Sequence, residues 1–257
     1  GIRLAADLPG FVLHCRAWRA ASFARMGLWD EASEELARAE DLLGERRENP
    51  PPFADRLFGA SAFVLDARGE PTAERYVLML RRFMDTGIGA WGAMGWLIEI
   101  LARRREFETA RDLVRRHEAS RHRVHDGLVL EARCDLVALE GTWDEAEALL
   151  ERARATAAEC GLRALAASAD RLEGRAALAG GRPDVAVAAL ERARAAFDDL
   201  EAGWDAAVTT LSLAEAHAAA GNEPEARAAA TAALETFDRL GALRETAAAR
   251  TLLDRLR

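Results

Sequence analysis

Three histidines and two carboxylates stand within ten residues in the stretch Arg115-Arg-His117-Glu-Ala-Ser-Arg-His122-Arg-Val-His125-Asp126, the densest collection of metal-ligating and proton-transferring groups in the chain. Imidazole nitrogens and carboxylate oxygens are the ligand types that zinc takes. Their spacing works against a shared helical face, because His117 and His122 are five residues apart and a turn has to fall between 119 and 124. A solvated loop between two helices accounts for the same residues. No metal or other cofactor is expected, and an enzyme fragment using His117 to Asp126 stands only as an alternative.

The remaining chemistry is mostly missing. All 35 basic residues are arginine, so the lysine of a phosphate-cradling Gly-x-x-x-x-Gly-Lys-Ser/Thr loop cannot occur. Ser22, Ser33, Ser61, Ser120, Ser168 and Ser212 all lie outside any Gly-x-Ser-x-Gly turn, which removes the usual hydrolase signature. Cys15, Cys134 and Cys160 are widely spaced and odd in number; they are expected to be buried free thiols, which suits a cytoplasmic protein. The chain is read as no enzyme.

Charge narrows the partners. A net charge of −8 makes nucleic acid and an anionic membrane surface unsuitable, and no apolar run approaches the roughly 20 residues that span a bilayer. From Arg103 to Arg123, however, eight arginines face Glu106, Glu108, Asp112 and Glu118, a local balance of +4. Guanidinium groups could dock an acidic segment there; a solvated helix face with Arg–Glu pairs at i, i+3 or i+4 is the simpler account. The chain opens on Gly1 with no leader-like pattern after it, and is read as part of something longer.

The elements that would position these groups are announced by a recurring phrase. Gly27-Leu-Trp-Asp-Glu-Ala32 returns as Gly141-Thr-Trp-Asp-Glu-Ala146, with degraded copies ending at Ala110, Ala186 and Ala226. From Ala110 onward the spacings are 36, 40 and 40 residues, and such periods mark stacked helical hairpins. Glycine can take the left-handed conformation that closes one helix, and the acidic pair meets the positive end of the next. Small residues recur twelve before the closing alanine, at Ala20, Cys134, Gly174 and Ala214, and seven after it, at Ala39, Ala153, Ala193 and Ala233, so helices approach closely. Leu65-Asp-Ala-Arg-Gly69-Glu-Pro-Thr-Ala73 reads as a further turn with one residue deleted, making six units.

This pattern resembles the tetratricopeptide repeat, strongly at 20–39, 134–153, 174–193 and 214–233 and partially at 98–117, where Arg105 replaces the glycine and His117 the later alanine. The resemblance implies an all-α fold: a right-handed α-solenoid of about six hairpins, at about 8–43, 53–86, 88–119, 124–160, 162–200 and 202–240, plus a closing helix at 243–256. The whole of 1–257 would be one solenoid. It places His14, Ala21, Arg25, Glu99, Arg103, Glu131, Asp135, Arg171, Arg175 and Glu215 on the concave face. That alternation of charge suits an extended or helical peptide of mixed charge, and departs from the lysine and asparagine clamp that grips chaperone C-termini. The roughly 40-residue period and the phrase Ala233-Leu-Glu-Thr-Phe-Asp-Arg-Leu-Gly-Ala242 also look like the C-terminal repeats of large bacterial ATPase-linked regulators, nucleotide-cyclase-associated or LuxR-type.

Two irregular stretches complete the sequence. Gly44-Glu-Arg-Arg-Glu-Asn-Pro-Pro-Pro-Phe53 reads as an extended connector. Gly87, Gly89, Gly92 and Gly95 crowd beside Trp91 and Trp96, which reads as close backbone contact with a neighbouring hairpin or, alternatively, as a ligand-admitting gap. The expected function is therefore a non-catalytic protein- or peptide-binding scaffold, the sensor or interaction arm of a cytoplasmic bacterial signalling or transcription regulator. Its partner could be the missing domains of its own polypeptide, and a homo-oligomer stays open. The alternative is a small-molecule or signal-peptide sensor with its pocket near Trp91 and Trp96.

Overall fold

The turn phrase does locally what its residue types dictate. In the computed structural model, which describes residues 9–44, 46, 51, 54–85, 91–120 and 125–257, α1 (Pro9–Met26) ends at Gly27 with a left-handed φ of 74°. Two residues later α2 (Trp29–Leu43) begins, with Asp30 and Glu31 in its first turn. The same conformation is kept where the glycine is missing: Arg105, φ 62°, joins α5 (Met94–Arg103) to α6 (Phe107–Ala119). A side chain there costs about 1–2 kcal/mol, which the surrounding helices must offset.

The other helices are α3 (Asp55–Ala67), α4 (Ala73–Asp85), α7 (Asp126–Glu140), α8 (Ala146–Cys160), α9 (Arg163–Ala179), α10 (Pro183–Asp199), α11 (Gly203–Ala219), α12 (Glu223–Leu240) and α13 (Leu243–Arg255). Among the described residues there is no strand, and no helix is long and apolar enough to cross a membrane. Left-handed residues recur at 141, 161, 181, 201, 221 and 241, so the 40-residue period divides into two equal helix-plus-turn halves. Leu8, Glu45, residues 47–50 with Asn49, residues 52–53, residues 86–90 with Gly87 and Gly89, and residues 121–124 with His122 lie outside the described residues, so the proline connector and the full histidine cluster are not placed.

Odd-numbered helices contact one another in series from α1 to α13; α2, α6, α8, α10 and α12 lie against both chain neighbours, and α4 packs against α3. The series also returns on itself, because α1 packs against α11. At this seam the Trp204 ring sits 5.1 Å from Trp29 and 5.4 Å from Phe63, with Phe237 at 5.8 Å on its other side. One apolar core therefore runs from Leu13 through Phe63 and Leu97 to Phe237 and Ala249. Arginines clasp the seam: Arg68 donates from Nε to the Leu240 carbonyl at 3.0 Å, and Arg244 pairs with Asp66 at 2.7 Å.

Several expectations about individual residues change. Trp29 is buried and its indole donates to the Ala24 carbonyl at 3.0 Å, but Trp143 is only half-buried and lies in a 3-10 turn, with α8 starting at Ala146. The difference is the seam, since Trp29 is enclosed by rings from α3 and α11 and Trp143 packs only beside its own satellite core. Of the three free thiols only Cys134 is buried; Cys15 is half-buried and Cys160, the last residue of α8, is exposed. Burial pushes the Cys134 thiol well above its ordinary pKa.

Candidate functional site

The residues assigned to the concave face are mostly drawn inward, and they meet each other. Arg25 from α1 forms a two-pronged pair with Glu99 from α5, at 2.8 and 3.4 Å, and reaches Asp205 of α11 at 3.6 Å. Asp205 in turn accepts from Arg171 of α9 at 3.1 Å, and the other arm of Arg171 grips both oxygens of Asp135 on α7, at 2.9 and 3.0 Å. The result is a continuous chain of charges, Glu99 to Arg25 to Asp205 to Arg171 to Asp135, joining five helices. Glu99, Arg171 and Asp205 are buried.

Burial and pairing act in opposite directions on these groups. Desolvation works against the Arg25 and Arg171 charges, and the neighbouring carboxylates more than restore them, leaving both guanidinium pKa values above the ordinary one. Glu131, beside this chain on α7, forms no ion pair within 4.0 Å among the described residues; burial pushes its carboxyl up to about 7, with Arg25 pulling the other way. Burial likewise raises Glu99, partly countered by Arg25.

Beside the charge chain lies a cavity of about 440 Å³. Glu99, Arg103, Asp135, Arg171, Arg175 and Glu215 all border it, so six of the ten residues assigned to the concave face share one space. Ala21, Arg25 and Glu131 do not border it. His14 is not part of it: its ring is exposed on α1, accepting a hydrogen bond from Trp18 at 3.0 Å.

Sequence reasoning missed the other wall, formed by Trp204, Val208 and Leu211 of α11 and by Arg244 and Glu245 of α13. The signal was present. Stepping back from Glu215 by threes and fours along the same helical face reaches 211, 208 and then 204 and 205, but nothing in the repeat announces that α13 turns its first residues inward.

The neighbouring motifs resolve differently. Trp96 is buried between Phe63, 5.2 Å away, and the Arg25 guanidinium, 4.1 Å above its ring, so it forms core rather than a pocket. The glycines there permit close backbone approach: a Cβ on Gly95 would stand 2.8 Å from the Leu128 carbonyl oxygen, and Gly92 donates from its backbone to Asp55 at 2.7 Å. His117 is buried with Nε2 2.7 Å from Asp126, and the described residues contain no group of three or more side chains able to hold a metal ion.

The arginine-rich stretch is paired across elements as well as along its own helix. Arg111 joins Glu140 and Glu145, at 2.8 and 2.6 Å; Arg104 joins Asp66 and Glu74, each at 2.7 Å; Arg116 joins Asp112 at 2.6 Å and Asp85 at 3.1 Å. Comparison with known proteins gives no family model that matches the chain and no curated protein that matches it.

Proposed function

We propose that the chain is a non-catalytic helical-repeat module that binds a small effector in its interior, the sensor arm of a larger bacterial regulator. The carrying observation is the cavity of about 440 Å³ bordered by six of the residues that repeat register assigned to the concave face. Cavities of roughly 300–1,000 Å³ suit metabolite-sized ligands. An extended peptide of mixed charge fits less well, because it would have to replace the Arg25–Glu99 and Arg171–Asp135 pairs. Parting a buried pair leaves uncompensated charge, at about 3–5 kcal/mol. The repeat resemblance supports the regulatory setting, and contact between α1 and α11 supplies a way to signal: a ligand held among α5, α7, α9, α11 and α13 would tighten the seam.

The test is a thermal-shift measurement with the dialysable small-molecule fraction of a GC-rich bacterial lysate. Wild type is expected to melt higher in its presence, and a Leu211→Trp variant, which fills the cavity from α11, to show no such rise. Equal rises in both proteins would place binding elsewhere and remove the interior from consideration.

A further inference from the structure

Of the five arginines bordering the cavity, Arg171 is committed to Asp135 and Asp205 and Arg244 to Asp66, while Arg105 is exposed to solvent. Arg175 is different. It has no carboxylate within 4.0 Å among the described residues, and its one hydrogen bond is a long contact from Nη2 to the Ala138 carbonyl, 3.4 Å. Burial pulls its guanidinium below the ordinary pKa, with Asp135 only partly restoring it, as expected of a desolvated cation short of compensation.

Arg103 is incomplete in another way. Its side chain is 7% exposed and its Nη2 lies 2.8 Å from Glu245, yet none of its three guanidinium nitrogens has an aligned hydrogen-bond acceptor. The group is held instead against two ring faces, 4.8 Å from Trp204 and 5.0 Å from Phe63. Two guanidinium groups, one with unaligned donors and one with a single long hydrogen bond, thus border the same cavity. A planar oxyanion is the partner such forks match.

Charge and shape narrow the class further. Arg171, Arg244 and Arg103 each have a carboxylate within 4.0 Å and Arg105 is exposed to solvent, which leaves the charge of Arg175 without an ion-pair partner among the described residues. A single negative charge balances it, whereas a dianion overshoots it. The wall of Trp204, Val208 and Leu211 asks for apolar surface on the rest of the ligand.

Resting on the effector-binding interior proposed above, we infer that the cavity takes a small monocarboxylate with an apolar body, its carboxylate held by Arg175 and Arg103. Calorimetric titration of the whole chain with phenylacetate tests this against phenylacetamide and phenethylamine, its neutral and cationic analogues, and against inorganic phosphate. Phenylacetate is expected to bind saturably and at least about tenfold more tightly than the other three, a difference of about 1.4 kcal/mol. Arg175→Met should weaken phenylacetate at least about tenfold and Arg175→Lys, which keeps the charge but loses the fork, by less than Arg175→Met, with helicity checked by circular dichroism.

Phenylacetamide binding as tightly as phenylacetate would overturn the anion class while leaving the interior as a binding place. Phosphate binding as tightly would overturn the apolar body. No binding by any probe would overturn this inference alone, because the effector-binding reading is decided by the thermal shift of wild type against Leu211→Trp. Because the probe series needs only wild-type protein, a variant that does not fold leaves it decisive.

Discussion

Substituting Gly203 by alanine should loosen the seam on which the interior depends. Gly203 is the first residue of α11, and a Cβ built on it would lie 2.6 Å from the carbonyl oxygen of Met26 at the end of α1. Real Cβ atoms essentially never come within 3.0 Å, so one element must retreat by at least 0.4 Å. The obstacle is backbone, so no side chain can rotate out of the way. Overpacking of this kind costs about 1–3 kcal/mol. Alanine returns up to about 1 kcal/mol of helix propensity, less at a first helical position. The net expectation is a loss of about 1–2 kcal/mol by urea unfolding, with redder tryptophan emission as Trp204 and Trp29 gain solvent. Gly180→Ala is the control, since its nearest neighbour would be 3.4 Å away and its φ is ordinary; it should change stability by no more than about 0.5 kcal/mol. If Gly203→Ala were as stable as wild type with unchanged emission, α1 and α11 would not be apposed in solution and the cavity wall formed by α11 would lose its basis.

Three further outcomes follow from individual environments. Trp29→Ala should cost about 3–5 kcal/mol in urea unfolding and Trp143→Ala no more than about half of that, because only the first is fully enclosed; equal losses would contradict the seam. Glu131 stays neutral in the folded chain up to about pH 7 against an ordinary 4.5, so its contribution to stability is full below about 4.5 and declines as pH rises to about 7. Glu131→Gln should therefore gain on wild type by at least about 1 kcal/mol between pH 5 and pH 8, and parallel pH profiles would show that the carboxyl is not desolvated. Glu201 holds a left-handed φ of 54° at a turn where the neighbouring repeats have glycine, so Glu201→Gly should raise the urea midpoint by the equivalent of about 0.5–1 kcal/mol; a lowered midpoint would mean the conformation is not kept.

What could be read from the chain alone is what local physics decides. The glycine and acidic pair of the turn phrase placed the junction at Gly27 and the helix start at Trp29, because left-handed closure and dipole complementarity act over a few neighbouring residues. The left-handed conformation even survives at Arg105, where the residue type argues against it, because the packed helices on either side leave the turn no other course. Register along the helices was legible too: counting from the turn alanines brought Glu99, Arg103, Asp135, Arg171, Arg175 and Glu215 to one space.

What the sequence could not say is that α11 and α13 form a second wall to this space. Local register describes each helix against its chain neighbours and is silent on contacts between distant helices. The tertiary packing brings α11 to α1, sets Trp204 against Trp29, and lets Asp205 meet Arg25 and Arg171. Charges that read as an open, peptide-ready groove then neutralise each other in the interior. Arg103 keeps unaligned donors and Arg175 only a long hydrogen bond because the nearby carboxylates are spent on other arginines or poorly aligned. Only the tertiary structure sorts satisfied charge from unsatisfied, since compensation depends on distances of a few ångströms between residues that lie more than thirty apart in the chain.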